Sequence, residues 1–184
     1  MQKPNFFLVH STEGNPDEAW YPWLKKELHV LGYRTISPQF PTPSGQTLDN
    51  WLKVFDTYKW FVHENTIFIG RSVGVPFILH VLEKQQAKAS FLVAGFCSDI
   101  GEEYRHLLHT FTESGFDLAS IKKHCEYFFV YYSDNDPYIE QAKLEEVAEK
   151  LCVKGILVKG AGHFNTKSGY TTFPIILEDI RKML

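Results

Sequence analysis

Six short apolar runs alternate along the chain with longer stretches in which apolar residues recur at steps of three and four. The runs are Phe6–His10, Tyr33–Ser37, Thr66–Gly70, Ser90–Ala94, Tyr127–Ser133 and Gly155–Lys159. They are rich in β-branched and aromatic residues, and most are near-continuous rather than alternating. That is the pattern of strands buried on both faces, as in a parallel sheet covered by helices. Between them lie the helical patterns. Asp17 to Leu31 sets Trp20, Leu24, Leu28 and Leu31 on one face, and Gly32 supplies a stop. Leu48 to Val62 carries Leu48, Leu52 and Phe55 but then meets Lys59 or Trp60, a less clean face. Val75 to Leu82 follows the third run as a further helix. Glu140 to Leu151 turns Ala142, Leu144, Val147, Ala148 and Leu151 inward and Glu145, Glu146, Glu149 and Lys150 outward. The last helix begins near Phe173-Pro174, with proline tolerated in its first turn. The alternation predicts a three-layer α/β fold: a mostly parallel sheet of about six strands with helices on both faces.

A length of 184 residues suits one domain over 1–184. The net charge of −3 is too mild for a nucleic-acid or anionic-membrane surface, so neither partner is expected. Cys97, Cys125 and Cys152 are widely spaced with no CxxC. This predicts reduced thiols in a cytoplasmic protein, with no disulfide framework, no structural zinc and no cofactor. The apolar run near the N-terminus is too short for a signal sequence, and none approaches the ~20 residues of a membrane span.

In open α/β sheets, sites gather outside the carboxyl ends of the strands. After Phe6–His10 the chain reads STEGNPDEAW, after Thr66–Gly70 RSVG, after Tyr127–Ser133 DNDPYI and after Gly155–Lys159 GAGHFN. One serine, two acids and one histidine thus follow strands in the order Ser, Asp, His. Gly70-Arg71-Ser72-Val73-Gly74 fits the G-x-S-x-G elbow, in which a strand reverses into a helix around a strained nucleophile. Taken alone, the five residues are equally an ordinary tight βα turn. The acid and histidine at later strand ends favour Ser72 as nucleophile. His163 follows Gly160-Ala161-Gly162, small residues that allow its imidazole to reach the serine as base. Asp136 is favoured as the acid because Pro137, Tyr138 and Ile139 would fix its loop, with Asp134 as the alternative and otherwise a cap. The oxyanion donors expected are the N–H of Val73 and one from Ser11 or Thr12. His106 and His109 form an HxxH read as a solvated helical face, and no third metal ligand is evident.

Together these residues resemble the small serine hydrolases of the α/β-hydrolase fold, and most of all the retinoblastoma-binding protein 9 family and its bacterial relatives. The likeness spans nearly the whole chain. It rests on the helix with Trp20 and Trp23 to Leu28, the IFIGRSVG elbow, SDIG at Ser98 to Gly101, the DNDPYI loop and the closing GAGHFN. The resemblance implies Ser72, Asp136 and His163 as the triad, and its spacing from acid to histidine points to Asp136. Two features depart from the family: Arg71 stands where histidine is common, and the retinoblastoma-binding signature L-x-C-x-E is absent around Cys125. That partner is therefore not carried over, and no other protein partner is named by the sequence.

The segment from Phe96 to Lys123 is the expected cover of the site, with no large cap domain. Its Phe96, Tyr104, Phe111 and Phe116 either line an acyl pocket or pack onto the domain. Arg71, Phe96 and Phe111 are the substrate-binding candidates; Arg71 either meets an anionic or polar substrate group or points away and pairs on the surface. The expected activity is hydrolysis of a small ester, thioester or amide through an acyl-serine. The alternative is a protein-interaction module on a hydrolase scaffold with the triad retained.

Overall fold

The computed structural model describes residues 2–184. Six strands form one sheet: β1 (Asn5–Val9), β2 (Arg34–Ile36), β3 (Thr66–Arg71), β4 (Ala87–Val93), β5 (Cys125–Tyr132) and β6 (Ile156–Leu157). Their order is β2-β1-β3-β4-β5-β6, and all five pairings are parallel. Seven helices connect and flank them: α1 (Tyr21–Val30), α2 (Leu48–Asp56), α3 (Gly74–Leu82), α4 (Glu102–Leu108), α5 (Leu118–His124), α6 (Gln141–Leu151) and α7 (Pro174–Met183). The sheet grows one way from β1 to β2 and the other way from β3 onward. Right-handed crossovers therefore put α1 on one face and α2, α3, α5 and α6 on the other. Two contacts place α7 beside α1: Arg181 faces Glu27 at 3.8 Å, and the Phe173 ring meets Trp20 edge-on.

Every residue of β1 and β3 is buried, as the continuous apolar runs require of central strands. The edges are shorter than their sequences suggest. β2 keeps three residues of Tyr33–Ser37, because Pro38 follows and has no N–H for a ladder. β6 keeps two, and the chain then turns away at Gly160, whose φ is +70°. Short edges also limit pairing with other chains. The helices differ at their ends. α1 starts at Tyr21 rather than Asp17, since Ala19 adopts a φ of +50°, outside the helical region. α2 stops at Asp56, and Lys59–Phe61 tighten into a 3₁₀ turn that leaves Trp60 exposed. The broken apolar face beyond Phe55 accounts for that stop.

Under α2 and α3 lies an aromatic core. Trp51 stacks on Phe40 at 4.6 Å and meets Phe77 and Phe111 edge-on. Each such ring contributes about 1.5–3 kcal/mol by leaving water. No helix among the described residues is long and apolar enough to cross a membrane.

α3 enters directly over the end of β1. A Cβ on Gly74 would lie 2.7 Å from the Val9 carbonyl oxygen and 3.2 Å from that of His10. Gly74→Ala is therefore expected to lower stability by about 1–3 kcal/mol through overpacking against backbone that cannot yield. A thermal melt checks this, and an unchanged melting temperature would contradict the close approach.

Candidate active site

The strand order reverses between β1 and β3, so the loops after these two strands lie side by side and open a crevice. β3 ends at Arg71 and α3 begins at Gly74, leaving Ser72 and Val73 to make the turn. Ser72 has a φ of +55°, a strained value for a side-chain-bearing residue. Its N–H donates to the Val93 carbonyl at 3.0 Å, and its carbonyl accepts from the Val75 N–H at 2.9 Å. A Cβ on Gly70 would sit 2.8 Å from the Gly74 carbonyl oxygen, so the flanking glycines answer a steric demand of the turn.

Ser72 and His163 line one cleft of about 570 Å³. His163 Nδ1 lies 2.7 Å from Asp136 Oδ2, and both side chains are almost wholly buried. The carboxylate fixes the tautomer with the proton on Nδ1 and leaves the lone pair on Nε2. Asp136 Oδ1 also accepts from the N–H groups of Tyr138 and Ile139, at 2.9 and 3.2 Å, which locks the carboxylate plane. Asp134 does a different job. Its Oδ1 accepts from the Gly160 N–H at 2.8 Å, and beside it Asn135 Oδ1 accepts from the Gly162 N–H at 2.8 Å. The two side chains hold the histidine loop in register with the acid loop. Asp134 thus ties two loops together rather than capping a helix.

The oxyanion candidates flank Ser72. Among the described residues neither the Val73 nor the Thr12 N–H donates to any acceptor of the chain. The Ser11 N–H likewise donates to no acceptor among the described residues, while its hydroxyl is engaged with Arg71 and Glu18.

His10 anchors this first loop. Its Nδ1–H donates to the Ser11 carbonyl at 2.8 Å, and its Nε2 accepts from the Phe40 N–H at 2.9 Å. Burial holds the imidazole below the usual histidine range. A neutral buried histidine gives stability that is full above the unfolded value, near ~6.5, and lost as pH falls toward the lowered folded one. Melting temperature should therefore drop on acidification below about pH 6.5. His10→Gln should remove the His10 share of that drop and leave the share of His63, which desolvation and Arg34 also hold low. Equal pH slopes in the two proteins would contradict this.

Three expected substrate contacts are placed otherwise. Arg71 is buried and its guanidinium is spent inside the protein, on Phe164, Ser11 and Glu18. It borders the cleft as half of an ion pair rather than as a free cation. Phe111 is wholly buried against Trp51, and Phe96 is 1% exposed, so both serve the core. Large rings gain more by packing inward than by lining a wet cleft. Phe116 lies against the His80 ring at 4.6 Å. From the cover, Tyr104, Ile100, Leu107 and Leu108 do reach the cleft, and Tyr138 and Ile139 join them from the acid loop. His106 lines it as well, though the HxxH reads as a solvated face. The Tyr104 phenol is raised by desolvation and by Glu103 beside it, so it remains a hydrogen-bond donor. Tyr138 presents an edge to His163 with centroids 5.0 Å apart. Glu18 and Asn135 escaped the sequence reading. Only their position after β1 and β5, in the loops that carry the other candidates, could have signalled them.

The serine hydrolase family model matches residues 6–182. The chain is 28% identical over 176 residues to YdeN of Bacillus subtilis, covering 94% of this chain and 92% of that protein. The crystal structure of the ydeN product superposes with a TM-score of 0.90, covering 98% of both chains at 26% identity. The serine hydrolase RBBP9 of Rattus norvegicus is 27% identical over 188 aligned positions, covering 100% of this chain and 98% of that one. Mouse alpha/beta hydrolase domain-containing protein 10 shares the fold, with a TM-score of 0.73 at 16% identity over 100% of this chain and 92% of that one. With a strained elbow serine, a buried Asp–His pair, a six-stranded parallel sheet without a cap domain and a family match over nearly its whole length, the chain belongs to the serine hydrolase family and is an enzyme of the α/β-hydrolase fold.

Proposed function

We propose that the protein hydrolyses small acyl esters, thioesters or amides through an acyl-serine intermediate. Ser72 Oγ attacks the carbonyl carbon while His163 Nε2 takes its proton. Asp136 stabilises the imidazolium so formed. The N–H groups of Val73 and Thr12 receive the developing oxyanion, helped by the N-terminus of α3. His163 returns the proton to the leaving group as the carbonyl–leaving-group bond breaks. Water activated by the same imidazole then cleaves the acyl-serine.

The observation that carries this reading is the 2.7 Å contact with a nearly inaccessible Asp136 made by His163, which lines the same cleft as a serine at positive φ. A buried, oriented imidazole facing a cleft has little structural use but suits proton transfer. The size of the cleft and its apolar wall of Ile100, Leu107 and Tyr138 favour a small acyl or leaving group.

Rapid mixing with a chromogenic phenyl ester of a short acid tests the reading. The expected result is a burst of phenol equal to about one equivalent of enzyme, followed by slower turnover. Turnover by folded protein with no acyl adduct at Ser72, trapped on acid quench, would contradict it.

A further inference from the structure

Arg71 carries a charge into the interior at the residue next to the candidate nucleophile. Its side chain is 3% exposed. Nη1–H donates to the Phe164 carbonyl at 3.0 Å, and Nη2–H donates to Ser11 Oγ at 2.6 Å and to Glu18 Oε1 at 2.5 Å. Ser11 Oγ in turn donates to Glu18 Oε1 at 2.9 Å. The Phe164 carbonyl takes a second donor, Trp20 Nε1–H, at 3.0 Å.

These partners are not scattered. Phe164 follows His163 and has a φ of +49°, so its carbonyl fixes the backbone that presents the imidazole. Ser11 precedes Thr12, the candidate oxyanion donor. Arg71 itself precedes Ser72. One planar guanidinium thus joins the elbow, the oxyanion loop and the histidine loop, three segments far apart in sequence. A buried ion pair is poor value as a stabiliser, since an apolar replacement of like volume is often as stable. Here the guanidinium even leaves Nε without an acceptor among the described residues. What arginine supplies is the rigid fork, which sets the angle between two partners in a way that a lysine ammonium does not.

We infer that Arg71 is a positioning residue: its buried guanidinium, paired with Glu18, sets the distance between the oxyanion loop and the histidine loop on either side of Ser72. The inference rests on the acyl-transfer reading above. It is distinct from recognition of substrate charge, because every contact named is internal.

The test compares wild type, Arg71→Met and Arg71→Lys on matched neutral and anionic short-chain esters, with melting temperature and the rate of fluorophosphonate labelling. Small misplacements of reacting groups cost about 10²-fold, so kcat and labelling of folded Arg71→Met should fall by about that factor. KM should change by less than about 3-fold, because no binding contact is removed. Arg71→Lys should recover part of kcat, and the neutral-to-anionic ratio of kcat/KM should stay at the wild-type value. Wild-type kcat in folded Arg71→Met, or a loss confined to anionic esters, overturns the inference. If Arg71→Met does not fold, Ser11→Ala is the second variant, since it removes one anchor and keeps the ion pair. It should lower kcat with KM held, and an unchanged kcat overturns the inference. Wild-type protein that never acylates Ser72 would overturn the underlying reading and this inference with it, whereas labelled wild type with an insensitive Arg71→Met removes this inference alone.

Discussion

Ser72→Ala should fold as wild type does and lose nearly all hydrolytic activity, with a fall in kcat of about 10⁶-fold. The structural half of this expectation follows from the turn. Among the described residues the Ser72 hydroxyl makes no hydrogen bond, so its removal leaves no partner unpaired. The positive φ is carried by the backbone bonds to Val93 and Val75, which alanine keeps. The chemical half follows from the cleft. With no Oγ there is no acyl intermediate, and only the oxyanion donors and binding remain to act on a water. A melting temperature near wild type together with residual turnover is the expected pair of results. Full turnover by folded Ser72→Ala protein would remove Ser72 from the mechanism.

Asp136→Asn should be folded yet slower by up to about 10⁴-fold in kcat. The reason is the direction of one hydrogen bond. The asparagine carbonyl can still accept from the Tyr138 and Ile139 N–H groups, so the turn survives. Its amide N–H then faces His163 Nδ1, which must accept, and the ring proton moves to Nε2. An imidazole protonated at Nε2 has no lone pair to offer Ser72. Asp134→Asn should behave differently. Its amide oxygen still accepts from the Gly160 N–H, so most activity should remain, with a stability loss of at most about 1 kcal/mol. Activity and melting temperature of both variants check the pair. The reverse pattern would transfer the acid role to Asp134.

The backbone-level parts of this molecule were legible in the sequence because they obey local rules. A glycine-flanked serine between an apolar run and a helix has few conformations to choose from, and the turn at Ser72 brings the Gly74 carbonyl so close to Gly70 that only glycine fits there. Strand centres such as Phe6 to Val9 are readable because burial on both faces removes all polar positions. The strand edges were less so: β2 ends early at Pro38, and β6 ends where the sheet has no further neighbour. The side-chain destinations were hidden for a different reason. Whether Phe111 lines a cleft or meets Trp51 depends on a partner some sixty residues away. Arg71 reads as a cation that either faces substrate or pairs at the surface until its distant acceptors, the Ser11 hydroxyl and the Phe164 carbonyl, are brought together by the sheet order. Asp136 was separable from Asp134 by the stiffness of the residues after it and by the family-like spacing from acid to histidine, and the geometry puts its carboxylate 2.7 Å from His163.

The most direct measurement is reaction of the folded protein with a fluorophosphonate, followed by intact mass and peptide mapping. Attack by an activated serine oxygen expels fluoride and leaves a stable phosphonyl ester. The account predicts one adduct per chain, on Ser72, absent from Ser72→Ala and formed far more slowly in Asp136→Asn. A folded wild-type protein that takes up no label, or takes it up on Ser11, Ser98 or Ser133 instead, would contradict it.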